Sequence, residues 1–208
     1  VIAPVTVVRV AESAEVDADD KAAETLANII GKVEADGSRT GLQALLTAEA
    51  VNGIKPRILG VPSHDSKAVA AALAIVAQKL RGFAYAKSIG ATVAEAATYR
   101  DEFSARELML IDGEATDFAG SAIARALGLR AKLDQQIGWH KTISNAAING
   151  VTGIANPRSF STLANDVTDV STLNDSDITA LVRNDGYRFW GNRTCSDEPL
   201  FAFESVVR

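Results

Sequence analysis

With 208 residues, 47% of them hydrophobic and 23% charged, the chain can bury a sizeable core in one large domain or two small ones. Its 21 basic and 26 acidic residues give a formal net charge of −5, and the basic residues are scattered, which argues against nucleic acid or an anionic membrane as partner. The one cysteine, Cys195, cannot close an internal disulfide, and two histidines supply no Cys/His cluster at zinc spacing.

Residues 5–10, VTVVRV, are β-branched and largely apolar, so a strand buried on both faces is expected there, starting after Pro4. Residues 11–20 are rich in acid and alanine and form an expected exposed loop. A short amphipathic segment through Leu26, Ile29 and Ile30 then stops at Gly31. After the turn Asp36-Gly37-Ser38, Thr40 opens a helix carrying Leu42, Leu45, Leu46 and Glu49, which Asn52-Gly53 ends. Residues 56–62, PRILGVP, form a short strand between prolines.

Ser63-His64-Asp65-Ser66 leads into an alanine-rich helix over residues 67–80, with Val69, Leu73, Val76 and Leu80 on one stripe. The longest strongly apolar run, residues 68–77, is too short to span a bilayer. Residues 83–89 are the next strand, Ala91-Thr92 opens a helix reaching Phe103, and residues 107–111, ELMLI, form a third buried strand. Strand and helix alternate, which predicts an α/β fold: a mainly parallel or mixed sheet flanked by helices on both faces, with right-handed crossovers. A further strand and helix region is expected towards the C-terminal end.

Residues 112–120, DGEATDFAG, are a polar loop. Residues 121–136 form a long helix with Ile123, Leu127, Leu129 and Leu133 on its apolar face and Arg125, Arg130 and Lys132 in solvent. Gly138 ends it, and Trp139 is expected to pack against it. Residues 141–154 suit irregular strands or a hairpin, and residues 156–170 a long surface loop. Residues 173–177, LNDSD, then cap a short helix through Ile178, Leu181 and Val182. Asn184-Asp185-Gly186 turns the chain into an aromatic strand, Tyr187 to Trp190, and Ser196-Asp197-Glu198-Pro199 has the form of a helix start.

No phosphate-cradling glycine loop, dinucleotide fingerprint or G-x-S-x-G elbow is present. The nearest thing to an enzyme's site is the strand-end region holding Ser63-His64-Asp65-Ser66 and Asp112, where α/β proteins place ligands. Four consecutive side chains splay apart, however, so a loop and helix cap is the reading adopted there. His140 suits a helix end and Cys195 a buried thiol. The paired acids Asp19-Asp20, Asp101-Glu102 and Asp197-Glu198 suit helix starts or solvated faces, and Arg188 and Arg193 suit interface or local ion pairs. No residue is assigned as catalytic, cofactor-binding or metal-binding.

Several longer runs are more particular: GLQALL (41–46), KPRILGVP (55–62), Phe103-Ser104, RELM (106–109), GLRAKLDQQ (128–136), GWHKT (138–142), Ser144-Asn145 and GYRFWGNRTCSDEPLFAFESVVR (186–208). Together they resemble the tail sheath proteins of contractile-tailed bacteriophages, prophages and R-type pyocins. The resemblance is weakest at residues 112–120, where related proteins continue with a longer Pro- and Trp-containing segment. Either residues are missing there or the loop differs. The resemblance implies a structural subunit, not an enzyme, that polymerises helically around a tail tube and contracts by rearranging intersubunit contacts. It implies as partners other sheath subunits, the tube protein, the baseplate and the tail terminator, with no cofactor, nucleic acid or membrane. It further implies a place in the virion tail after assembly in the bacterial host cytoplasm. On this reading residues 1–208 are the α/β core of a longer subunit whose terminal arms lie outside it. The competing expectation is an α/β enzyme or small-molecule-binding domain with a site near His64 and Asp112.

Overall fold

The computed structural model describes residues 4–116, 121–163 and 165–207. Two strands that are apolar up to a final charged residue, Phe83–Lys87 (β2) and Leu108–Asp112 (β3), are the centre of the molecule and are buried along nearly their whole length. They pair in parallel, Ala84 opposite Leu108 through Lys87 opposite Ile111. Ile58–Leu59 (β1), kept short by Pro56 and Pro62, lies parallel to β2, and Ile178–Arg183 (β5) lies parallel to β3. Tyr187–Trp190 (β6) turns back antiparallel on β5, and Ala147–Ile148 (β4) pairs antiparallel with β6. The sheet is therefore mixed, in the order β1-β2-β3-β5-β6-β4.

The helices follow local rules. Ala18–Ile30 (α1) starts at Asp17, whose carboxylate accepts the amides of Asp19 and Asp20. It ends at Gly31 (φ 69°), which abuts Gly41 (φ 52°) so closely that a Cβ on either would strike the other's backbone neighbourhood. Gly41–Thr47 is a 3-10 helix and runs into Ala48–Asn52 (α2), which Gly53 closes in the left-handed region. The single helix expected over this stretch is thus two short ones. Lys67–Leu80 (α3) matches its expected span, capped by Ser66, and Val93–Arg100 (α4) carries a full Thr92/Glu95 capping box. Ala122–Gln136 (α5), Asp169–Asp175 (α6), the 3-10 helix Pro199–Phe201 and Glu204–Val207 (α7) complete the set among the described residues.

Alternation along the strands divides the core between two faces. Ala84, Ala86, Leu108 and Leu110 meet α3 on one face, and Ile178, Ala180 and Val182 continue it under α4 and α6. Phe83, Tyr85, Met109, Ile111, Leu181 and Phe189 meet α5 on the other. Helices cover both faces, as the α/β alternation requires.

Three expectations are corrected, and a fourth is narrowed. Ile178, Leu181 and Val182 lie in strand β5, not in a helix: their spacing suits either, and the helix has already ended at Ser176 before Asp177 turns through φ 57°. Flanked by β3 and β6, β5 is buried from Ile178 to Val182, and that setting selects the strand. Residues 5–10 are extended but belong to no sheet, with Val5 79% and Val7 80% exposed. Residues 141–154 take the first of the two forms expected, irregular strands and not a hairpin: β4 pairs with β6, and Ile154 bridges to Ala115. The surface loop that starts at Asn156 stops short of Val170, which is buried in α6. Part of the 112–120 loop, residues 117–120, lies outside the described residues.

Candidate functional site

The strand-end region is tied up by its own hydrogen bonds. Ser66 Oγ accepts the Val69 amide at 3.3 Å, and Asp65 Oδ1 accepts the Lys87 amide at 3.1 Å. Burial pushes the Asp65 carboxyl above its ordinary value, with the Lys87 amide and charge opposing. Lys87 Nζ lies 3.4 Å from Glu114 Oε2. Asp112, buried at the end of β3, is gripped by Arg158 through Nε (2.9 Å) and Nη2 (3.1 Å), while Nη1 donates to the Ala91 carbonyl at 3.1 Å. This two-pronged contact pins the loop before α6 to the sheet and raises the Arg158 pKa through the bond to Asp112. His64 is exposed in the turn. Buried Asp112 therefore faces a guanidinium, and its two oxygens are committed to it.

Two cavities lie away from that crevice. One of about 480 Å³ sits at the amino ends of β2 and β3, lined by Gln78, Arg81, Gly82, Arg106, Glu107, Phe201, Val206 and Val207. Another of about 210 Å³ runs between α5 and β4.

The remaining single residues have local partners. Cys195 is buried, its amide bonded to the Leu108 carbonyl at 2.8 Å, and burial pushes its thiol up to about 12. It is protonated at neutral pH and sits in the α3 core. Arg188 holds the β5–β6 turn through the Asn184 carbonyl (2.9 Å) and Asp185 (3.4 Å), and Arg193 stacks over Phe203 at 4.5 Å. Asp197 lies 3.7 Å from Arg100, and Glu102 pairs with Lys67 at 2.7 Å. Trp139 is 61% exposed and contacts His140 edge-on, so it does not pack against α5 as expected.

The most highly organised polar cluster is built on Arg130, which is expected in solvent and is buried. Arg130 and Glu204 are both 0% exposed. Arg130 Nη1 lies 3.5 Å from Glu204 Oε1 and also donates to the Lys141 carbonyl; Nη2 donates to Asp134 Oδ1 (2.7 Å) and the Gly138 carbonyl (3.4 Å). Glu204 Oε1 accepts from Tyr85 Oη at 2.5 Å, and Oε2 accepts from Thr142 Oγ1 at 2.5 Å and the Ile143 amide at 3.1 Å. One carboxylate thus joins α7, α5, β2 and the segment after α5. Both oxygens of Glu204 and both terminal nitrogens of Arg130 have partners that offset their desolvation, while Arg130 Nε is buried without a hydrogen-bond partner among the described residues. The signal was present in the sequence. Arg130 falls on the buried stripe of Ile123, Ala126 and Leu133, and Glu204 is the sole charge in the run AFESVV.

A fold of this kind, with structural locks where a catalytic crevice would be, is what comparison with known proteins places in context. The family model described as the phage tail sheath protein central domain matches residues 37–195. The chain belongs to the phage tail sheath family. The tail sheath protein of Escherichia phage P2 is 54% identical over 99% of this chain and 54% of the relative's length. The major tail sheath protein of Serratia phage KSP20 is 45% identical over 98% of this chain and 53% of its own length. This sheath-family chain thus spans about half the length of the curated relatives it matches. Its fold is shared with the sheath complex of an extracellular contractile injection system in the contracted state, at a TM-score of 0.60 and 18% identity over 91% of this chain and 53% of that one.

Proposed function

We propose that this chain is the α/β body of a structural subunit in a contractile tail sheath, one that polymerises helically around a tail tube and contracts by exchanging intersubunit contacts. The observation that carries the reading is 54% identity across 99% of the chain to the tail sheath protein of Escherichia phage P2. A sheath stores its work in a metastable lattice, so the subunit must act as a rigid block whose contacts change while its core does not. The Arg130–Glu204 cluster and the Arg158–Asp112 fork serve that rigidity by tying surface segments to the sheet.

On this reading the chain is not an enzyme and carries no catalytic, cofactor-binding or metal-binding residue. Its partners are further sheath subunits, the tube protein, the baseplate and the tail terminator, and it resides in the virion tail after assembly in the host cytoplasm. Residues 1–208 act as one body. The test is negative-stain electron microscopy of the polypeptide from the complete reading frame, with and without co-expressed tube protein. Striated tubes or wide contracted cylinders are expected. Dispersed particles under every assembly condition would overturn the proposal and return attention to His64 and Asp112.

A further inference from the structure

The cavity of about 480 Å³ at the amino ends of β2 and β3 joins an apolar part to a positive one. Phe201, Val206 and Val207 supply the first, and Arg81 and Arg106 outnumber Glu107, the one acid among the lining residues. Arg106 is fixed in place: its guanidinium lies 4.3 Å over the Phe201 ring, and its Nε donates to Glu107 Oε1 at 3.0 Å. Its two terminal nitrogens, and the whole guanidinium of Arg81, have no partner among the described residues. Arg57, bonded to the Arg81 carbonyl at 2.7 Å, adds a third positive charge beside them. A cavity of this size, with an aromatic wall and surplus positive charge, fits an apolar knob flanked by carboxylates.

The same chain displays such a knob. Val16 is 98% exposed, more than any other large hydrophobic residue described. It sits in the turn before α1, which two local contacts hold: the Glu15 amide donates to Ser13 Oγ at 3.2 Å, and the Asp17 carboxylate caps the helix. Glu15, Asp19 and Asp20 flank it in sequence, and none of their carboxylates has a partner among the described residues. Val167, 91% exposed, is the rival knob. Its neighbouring acids are occupied, however, since Asp166 accepts from Ser161 Oγ at 2.5 Å and Asp169 from the Ser159 amide at 2.9 Å. Free carboxylates therefore single out residues 15–20. Within one copy the knob and the cavity share no hydrogen bond or ion pair among the described residues, and α1 is held by its packing on α3.

We propose that residues 15–20 of one subunit dock in this cavity on a second copy of the chain, with Val16 against Phe201 and Val206 and with Asp19 and Asp20 facing Arg81 and Arg106. Knob and cavity are different surfaces, so the contact is heterologous. Each copy offers one of each, and repetition builds a ring or an open helix, never a closed isologous pair. The apolar centre supplies cohesion, and the charges at its rim set the orientation and strengthen association at low salt. The proposal rests on the sheath reading for its partner and deepens it by naming the two surfaces that meet.

The test is cross-linking in sheath assembled from the polypeptide of the complete reading frame with co-expressed tube protein. One copy carries Val16→Cys, another Val206→Cys, and the two are expressed together. Oxidation of the tubes, extended and contracted, should give a disulfide-linked dimer from the mixture in at least one of the two states, and none from either variant alone. Cys195 is buried and does not compete. Tubes without the cross-link in either state would overturn the inference and leave the sheath reading intact, whereas absence of tubes from the unmodified polypeptide would overturn both. A dimer from Val16→Cys alone would overturn the heterologous pairing. A link closed within dispersed single copies carrying both substitutions would overturn the choice of a second copy. Independently, Arg81→Glu should cut the assembled fraction about threefold or more at low salt. Asp19→Lys with Asp20→Lys in the same chain should recover most of that loss, and Asp101→Lys, at another exposed acid, should not. No recovery, or equal recovery by both, would overturn the pairing, and this measurement decides if the cysteine variants fail to assemble.

Discussion

Helices α3 and α5 lie on opposite faces of one sheet and hold it by different means. α3 packs Val69, Leu73, Val76 and Leu80 onto alanines and leucines of β2 and β3 with no buried charge of its own. α5 lays Ile123, Ala126, Leu129 and Leu133 on the other face but buries Arg130 among them, and through it holds Glu204 of α7. Apolar packing is non-directional and tolerates small shifts, whereas a buried guanidinium with defined acceptors admits one arrangement. The α3 face supplies cohesion; the α5 face fixes where the last described helix sits.

The sharpest way to break this comparison is Arg130→Met. It strands the Glu204 carboxylate in the core, and urea unfolding should show a loss of about 3–5 kcal/mol. Adding Glu204→Leu should restore part of that loss, and strict additivity of the two changes would show that the pair is not coupled. On the other face, Leu73→Ala should cost about 3 kcal/mol through the cavity it leaves, and no compensating partner substitution is expected to exist. Thr92→Ala removes the side-chain bond to the Glu95 amide at the start of α4, with an expected loss of about 1 kcal/mol.

The smallest expected effect is one of pH dependence. Because burial raises the Asp65 pKa above 3.8, the native state holds that proton when the unfolded chain has lost it. Stability therefore falls as pH rises from about the ordinary Asp value through the raised one, and the penalty stays constant above that window. Asp65→Asn keeps an acceptor for the Lys87 amide and removes the penalty. Its stability relative to the parent should grow across that window and then level off; a constant difference at all pH values would count against the assignment.

Much of the fold was legible. The α3 stripe, the first three parallel strands and the aromatic strand all announce themselves through local patterns: the helix repeats its apolar residues at helical spacing, and the strands are short apolar or aromatic runs bounded by turn or proline signals. The failures have a common origin. Arg130 belongs in solvent by its chemical type but in the core by its position on the buried stripe, and the acceptors of Lys141, Asp134, Gly138 and Glu204 offset its desolvation. Trp139 is likewise expected by its type to pack on α5, and it is 61% exposed.

By itself the sequence determined the α/β alternation, the span of α3 and the family, since each depends on residues close together in the chain or on runs matched one by one. Only the tertiary structure decided that residues 178–183 are an interior strand, that residues 5–10 join no sheet among the described residues, and that one carboxylate joins four segments. Each of those outcomes depends on groups brought together from distant parts of the chain, where burial and hydrogen bonding override local preference.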